Sequence, residues 1–326
     1  MQLTHRNRRL RLTENMRSLV RENHINASDF IVPLFIVEGS NIKEEIPSMP
    51  NYYRFSLDLI TSEIEEIVDL GLKSVLIFVK VPNELKDNKG AEALNPNGLM
   101  QRSIRKIKSI APQLILMTDV ALDPYSSEGH DGIVDQGQII NDETVEVLAQ
   151  MSVSHAQAGA DIVAPSDMMD GRVAAIRQQL DNNGFINTGI MSYSAKYASA
   201  FYGPFRDALD SAPGFGDKKT YQMDYCNRKE AIKEVFQDVE EGADIVMVKP
   251  GMPYLDVIRD IANVVNVPIS AYQVSGEYAM IKAASANGWL NEKDVAIESI
   301  MAFKRAGASL IASYYAKDVA RWLQEK

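Results

Sequence analysis

Cysteine is almost absent from this sequence of 326 residues, which contains only Cys226. A single thiol cannot form an intramolecular disulfide or a zinc site built from several thiolates, so a reducing compartment is expected. The sequence also lacks an apolar run long enough to cross a bilayer, and its N-terminus lacks the apolar core of a secretory signal. These absences predict a soluble, cytoplasmic protein.

The sequence contains fewer basic than acidic residues. The 34 Lys and Arg residues face 44 Asp and Glu residues, which gives a formal net charge of −10. A molecule with this balance repels nucleic acid and anionic membranes, so neither is expected as a partner. The hydrophobic content of 46% and the charged content of 24% are typical of a globular protein and exclude collagen-like and largely disordered classes.

From about residue 30, short apolar runs rich in β-branched residues alternate with longer segments of helical period, which is typical of βαβ units. Several of these runs are apolar almost throughout, as strands inside a barrel should be. The eight predicted strands are Ile31–Ile36, Ser74–Lys80, Leu114–Val120, Asp161–Ala164, Ile186–Tyr193, Asp244–Lys249, Val267–Tyr272 and Ser309–Tyr314.

A repeated joint precedes four of the strands. In each copy a glycine follows the helical segment and a small or polar residue leads into the strand, at Gly71, Gly159, Gly242 and Gly307. Glycine suits the left-handed position that ends a helix. The pattern predicts a (β/α)8 TIM barrel over residues 29–326. The alternative is an open doubly wound sheet, but no G-x-G-x-x-G follows the first strand.

Residues 1–28 lack the alternation of apolar runs and helical segments that predicts the barrel. They contain six arginines, although the protein as a whole is acidic. One interpretation is a solvated tail. The other, which we adopt, is an extended N-terminal oligomerisation arm, because the negative surface of a neighbouring subunit would attract it.

Catalytic residues of such barrels lie at the carboxyl ends of the strands. Lys249 ends an apolar strand and precedes a Pro-Gly turn, and Lys196 follows the preceding strand. Adjacent strands lie about 4.8 Å apart. Two ammonium groups held that close lower the pKa of at least one, which leaves a neutral amine able to form a Schiff base. A lysine that merely extends into water is the alternative.

The loop after strand three, DVALDPYSSEGHDG, is rich in acids. Asp119 and Asp123 could bind a hard cation, act as a general base or stabilise an iminium, unless the loop is simply solvated. The long connection Pro204–Tyr225 contains cations that could bind a substrate carboxylate. Arg206 would do so through two parallel hydrogen bonds and Lys218 as a point charge, with Gln222 nearby. Together with paired lysines, they indicate an anionic carbonyl substrate.

Several stretches resemble porphobilinogen synthase, the 5-aminolevulinate dehydratase family. They are DVALDPYSSEGHDG, APSDMMDGRV, SYSAKYASAFYGPFRDA, YQMDYCNRKEA, GADIVMVKPGMPYLD and AYQVSGEYAM. The resemblance covers essentially the whole chain. It implies a homo-oligomeric, usually octameric, barrel enzyme that condenses two 5-aminolevulinates into porphobilinogen for tetrapyrrole synthesis.

The resemblance also implies roles for individual residues. Lys249 would form the Schiff base with the substrate that becomes the propionate side, Lys196 would bind the second substrate as an imine, and Asp119 is the acid/base candidate. The implied substrate-binding residues are Ser275 and Tyr314 for the first carboxylate, Arg206, Lys218 and Gln222 for the second, and Ser166, Tyr202, Phe205, Asp123 and Asp131 elsewhere in the pocket.

The metal pattern departs from the zinc-dependent members, which carry three cysteines in the loop where this sequence has Ala121, Asp123 and Asp131. Thiolate-bound zinc in the active site is therefore excluded. The pattern resembles members activated by Mg²⁺ at a subunit interface, where the matching ligand is Glu234, and Arg9 or Arg11 of the arm would reach the same interface.

Two other functions fit part of the sequence. A Schiff-base aldolase on the same barrel needs only one lysine and leaves Lys196 unexplained. A non-enzymatic scaffold would leave both lysines solvated.

Overall fold

The computed structural model describes residues 3–209 and 214–325. Eight parallel strands close into a barrel, because the last strand pairs with the first as well as with the seventh. They are β1 Phe30–Val37, β2 Ser74–Lys80, β3 Ile115–Val120, β4 Ile162–Pro165, β5 Gly189–Lys196, β6 Ile245–Lys249, β7 Ile269–Gln273 and β8 Leu310–Ser313. The predicted TIM barrel is confirmed.

Helices follow the strands and cover the outside of the barrel. The described residues contain α1 Glu14–Leu19, α2 Ile60–Asp69, α3 Leu99–Ile110, α4 Asn141–Ala158, α5 Arg172–Asn182, α6 Gly203–Leu209, α7 Lys229–Glu240, α8 Leu255–Ala262, α9 Ser275–Ala286, α10 Glu292–Ala306 and α11 Ala316–Gln324. The four predicted joint glycines have φ between 78° and 120°. Only glycine adopts this conformation without strain, so each one ends a helix and turns the chain into the next strand.

Two pairs of short strands lie outside the barrel. Lys43–Glu45 and Tyr53–Ser56 pair antiparallel beside β1, and Ile133–Asp135 and Gln138–Ile140 form a hairpin in the connection after β3. The long connection after β5 is not all loop, because α6 forms at its beginning. Proline is tolerated in a first helical turn, and Ala208 and Leu209 bury the far end of this helix. Pro213, in the same connection, lies outside the described residues.

The fifth strand ends three residues later than its predicted end at Tyr193. Its register with β6 shifts: Ser192 pairs with Val246, but Ala195 pairs with Val248. Strand β5 therefore contains one extra residue, a β-bulge. Residues three apart on a regular strand face opposite ways, and the bulge lets Tyr193 and Lys196 both face the barrel interior.

Residues 3–22 of the N-terminal segment include no buried residue, whereas Ile25 and Ala27 pack partly buried against the core. Neither α1 nor the 3-10 helix Asn7–Arg11 contains a buried residue. In the described part of the chain, no helix combines the length and apolar character required to cross a membrane.

Candidate active site

Lys196 and Lys249 end neighbouring strands and are direct partners in the strand register. The two residues are only 6% and 5% exposed. The ring centre of Tyr193 lies 5.9 Å from Nζ of Lys196 and 5.1 Å from Nζ of Lys249. The two amines therefore enter one pocket.

Aromatic rings surround the Lys249 amine. Besides Tyr193, the ring centres of Tyr202, Phe205 and Tyr272 lie 5.2, 4.8 and 4.8 Å from its Nζ. Burial in this apolar surrounding lowers the pKa of Lys249 to about 7, and the charge of Lys196 adds to the effect. At neutral pH a substantial fraction of this lysine is the free amine, which is the nucleophilic form.

Lys196 is held by oxygen atoms from the connection after β3 and from the end of β4. Its Nζ lies 3.4 Å from Oδ2 of Asp131 and donates to the backbone carbonyl of Ser166. The Ser166 hydroxyl in turn donates to Oδ1 of Asp119 at 2.8 Å. Ser166 thus connects the second amine to the acid/base candidate.

Asp119 is buried near the end of β3, and its pKa is raised to about 7. Burial is the main cause, and the nearby carboxylate of Asp123 acts in the same direction, against Ser166 and the two lysines. A carboxyl group with this pKa can both accept and release a proton near neutral pH.

Lys218 connects two further acids of the loop after β3, Asp123 and Asp131. Its Nζ lies 2.7 Å from Oδ1 of Asp131 and 3.3 Å from Oδ2 of Asp123, and Nε2 of Gln222 lies 3.5 Å from Oδ2 of Asp131. Burial would lower the pKa of Lys218, but the two carboxylates raise it. Burial would raise the pKa of Asp131, but Lys196 and Lys218 together lower it to about 2. This cluster is ionic and holds Lys218 in its protonated form.

Ser275 and Tyr314 lie across the barrel mouth from the Lys218 cluster, just after β7 and β8. Ser275 opens α9 and is fully buried, and its hydroxyl has no hydrogen-bond partner among the described residues. The Tyr314 hydroxyl lies 3.1 Å from that of Tyr272. A buried hydroxyl without a partner is costly, so the Ser275 hydroxyl is free to accept or donate a further hydrogen bond. Arg206 lies half-buried on α6, beside the Phe205 that contacts Lys249.

Glu234 lies away from the lysines, half-buried on α7. It lines a cavity of about 940 Å³ together with Asp170, Gln222 and Glu230. Burial raises the pKa of Glu234, helped by surrounding carboxylates and opposed by Arg172. Because Gln222 also contacts Asp131, this cavity reaches the outer side of the lysine pocket.

Comparisons with known proteins agree with this geometry. A family model described as delta-aminolevulinic acid dehydratase matches residues 4–322. The chain belongs to the delta-aminolevulinic acid dehydratase family. It is 52% identical over 320 residues to the delta-aminolevulinic acid dehydratase of Bacillus subtilis, with 98% of each chain covered. It is 53% identical to the chloroplastic delta-aminolevulinic acid dehydratase of Chlamydomonas reinhardtii, with 98% of this chain and 85% of that one covered.

One solved structure superposes on almost the whole chain. The crystal structure of delta-aminolevulinic acid dehydratase (porphobilinogen synthase) from Toxoplasma gondii ME49, in complex with the reaction product porphobilinogen, matches with a TM-score of 0.98 and 50% identity. The match covers 99% of this chain and 92% of that one.

Sequence reasoning gave no role to three residues of this dehydratase-family site. The rings of Tyr193 and Tyr272 contact the Lys249 amine, and the carboxylate of Glu277 holds the turn that follows it. A signal for the tyrosines exists, since both lie near the carboxyl ends of barrel strands, where catalytic residues of this fold lie. The position of Tyr193 depends on the bulge, which no local pattern reveals.

Proposed function

We propose that this chain condenses two molecules of 5-aminolevulinate into porphobilinogen with loss of two waters, as a lyase of tetrapyrrole biosynthesis. The observation that carries the proposal is the pair of buried lysines at adjoining strand ends. Each of the two substrates has one ketone, and each ketone needs an amine. Family membership at 52% identity supports the same reaction.

The reaction begins at Lys249. Its free amine attacks the ketone carbon of the substrate that becomes the propionate side, and the resulting carbinolamine loses water to give an imine. The four surrounding rings stabilise the protonated, cationic imine through their negative faces. The same surroundings exclude water, which keeps the amine neutral before attack.

The second substrate binds at Lys196, also as an imine. Asp119, joined to this side of the pocket through Ser166, takes up and returns protons during carbon–carbon bond formation. Its pKa of about 7 suits both directions of transfer.

The substrate carboxylates are bound on opposite sides of the amines. The unpartnered Ser275 hydroxyl and the Tyr314 hydroxyl receive the first carboxylate, and Arg206, Lys218 and Gln222 receive the second. Lys218 stays protonated beside Asp123 and Asp131, and it exchanges one of these contacts for the substrate. Tyr202 and Phe205 line the pocket next to Lys249.

For the metal, we propose Mg²⁺ at Glu234 and at an interface of a homo-octamer. The cavity beside Glu234 offers carboxylate and amide oxygens, which suit a hard cation, whereas the single cysteine, Cys226, is exposed and cannot form a multi-thiolate zinc site. Among residues 3–209 and 214–325, no group of three His, Cys, Asp or Glu side chains can hold a metal. Glu234 would therefore hold the ion largely through water. When bound, the ion supplies positive charge to the surrounding acids.

The experiment that tests this function is borohydride trapping. The protein is incubated with 5-aminolevulinate, reduced, and mapped by peptide mass spectrometry, while porphobilinogen is measured in a parallel sample. We expect an adduct on Lys249 and product formation. The variant Lys249→Ala should lose both while keeping its melting temperature within a few degrees. An adduct on Lys249 without porphobilinogen would favour a single-lysine aldolase, and an absent adduct would refute Schiff-base chemistry.

A further inference from the structure

Glu277 is a buried carboxylate that no step above uses. It lies in the first turn of α9 and is 3% exposed. Its Oε2 accepts the backbone N–H of Val274 at 2.7 Å and that of Gly251 at 3.4 Å, and its Oε1 accepts the N–H of Met252 at 2.8 Å. One side chain thus joins the turn after β6 to the beginning of α9.

Only part of this arrangement is ordinary helix capping. A glutamate at the third helical position commonly bonds back to the N–H of the N-cap, and the bond to Val274 is of this kind. The bonds to Gly251 and Met252 reach the turn after β6 and do not cap the helix. They hold the turn that begins with Lys249.

The two segments that Glu277 joins carry the two contacts proposed for one substrate. Gly251 lies two residues after Lys249, which takes the ketone, and Glu277 lies two residues after Ser275, which takes the carboxylate. The backbone of Lys249 is also held from the β5 side, since its carbonyl accepts the N–H of Tyr197 at 3.0 Å and the Tyr202 hydroxyl at 3.1 Å. The amine therefore has a fixed place relative to Ser275.

Close packing leaves these segments little freedom. A Cβ at Gly251 would lie 2.6 Å from the Phe303 side chain and 2.9 Å from the Tyr272 carbonyl oxygen. A Cβ at Gly276 would lie 2.5 Å from the Phe201 carbonyl oxygen. Gly251 donates to Glu277 and Gly276 precedes Glu277 in the chain, so the backbone is closely packed on both sides of this carboxylate.

We infer that Glu277 is a positioning residue that fixes the distance between the Lys249 amine and the Ser275 hydroxyl, and thereby selects ketones that carry a carboxylate at the matching spacing. This inference rests on the proposed function, because it assigns both contacts to the same substrate. A glutamine in this place has only one acceptor oxygen, and its NH₂ group would face a backbone N–H. Glu277→Gln therefore keeps the volume and loosens one of the two segments.

The test compares two ketones in borohydride trapping. One is 4-oxopentanoate, which is 5-aminolevulinate without its amino group, and the other is 2-pentanone, which has a methyl in place of the carboxylate. We expect the ratio of the 4-oxopentanoate rate to the 2-pentanone rate at Lys249 to fall about tenfold in Glu277→Gln, which is the upper range for losing one hydrogen bond. The rate for 2-pentanone should stay within about twofold. The ratio of the two rates is independent of the fraction of protein that is folded.

Two further variants sharpen the result. Ser275→Ala should lower the same ratio, and the double variant should lower it no further, because Glu277 acts through Ser275. Asp244→Asn is the matched control. The carboxylate of Asp244 also accepts a backbone N–H from a neighbouring strand, that of Ile190 at 2.8 Å. Asp244, however, lies just before β6, at the opposite end of the barrel from Lys249.

The outcomes are distinguishable. An unchanged ratio in Glu277→Gln, or an equal loss for both ketones, would overturn the inference while leaving the proposed function intact. An absence of any adduct at Lys249 in the unmodified protein would overturn the proposed function itself. Additive losses in the double variant would show that Glu277 acts independently of Ser275, against the inference.

Discussion

The reactivity of Lys249 has two physical sources, of which sequence reasoning identified the smaller. Adjoining strand ends predict a second ammonium group nearby, and the structure places Lys196 there. The larger cause of the lowered pKa is burial among aromatic rings. Those rings come from β5, β7 and the segment around α6, and only the folded barrel brings them together.

The contribution of Lys196 can be measured by removing its charge. Lys196 lowers the pKa of Lys249, so Lys196→Gln should raise that pKa above about 7. The free-amine fraction at pH 7 then falls, by up to about tenfold for each unit that the pKa rises. Trapping of 4-oxopentanoate at Lys249, measured from pH 6 to 10, should show its midpoint displaced toward alkaline pH.

The control for this experiment is Lys219→Gln. Lys219 lies next to Lys218 in the chain, but its side chain is 69% exposed and pairs with Asp217. Its removal should leave the midpoint near pH 7. A midpoint that also stays near 7 in Lys196→Gln would mean that burial alone sets the pKa of Lys249.

At the scale of elements, the regular parts were predictable and the irregular ones were not. All eight barrel strands were located from apolar runs, because buried parallel strands need them, and the joint glycines have the predicted left-handed conformation. The bulge in β5 was missed because it depends on pairing with β6. The same limit applies to Asp123 and Asp131: their loop was predicted, but their common partner Lys218 is distant in sequence.

A buried ion pair joins three elements behind the site. Arg172 on α5 bonds both oxygens of Asp238 on α7, at 2.9 and 3.3 Å, and the hydroxyl of Ser192 on β5 at 3.1 Å. Arg172→Met should lower the free energy of unfolding by about 3–5 kcal/mol, because it leaves Asp238 buried without its partner. Denaturant unfolding measures the change.

The comparison for Arg172 is an exposed pair of the same type. Lys293 and Glu325 lie 2.6 Å apart with side chains 41% and 58% exposed. Lys293→Met should change the free energy of unfolding by less than about 1 kcal/mol. Similar losses in both variants would contradict the view that burial makes the Arg172 pair important for stability.

At the scale of the whole molecule, the acids beside the 940 Å³ cavity provide a test of the proposed magnesium site. Glu234→Gln should remove the stimulation of activity by Mg²⁺, so that the ratio of rates with and without Mg²⁺ approaches one. The rise in melting temperature on adding Mg²⁺ should disappear as well, which is a readout independent of turnover. Glu240→Gln, an exposed acid on the same helix, should keep both responses. If Glu234→Gln keeps them too, the ion binds elsewhere.

The N-terminal arm exposes apolar side chains that the barrel does not cover. Leu10, Leu12 and Leu19 are 51%, 69% and 79% exposed, and α1 contains no buried residue. Burying these side chains requires another surface, which we propose to be a neighbouring subunit of the proposed homo-octamer. Deleting residues 1–22 should therefore leave the melting temperature of the barrel within a few degrees, since β1 begins only at Phe30. Light scattering should show a smaller particle than the full chain forms, and an unchanged particle mass would show that the arm does not hold the assembly together.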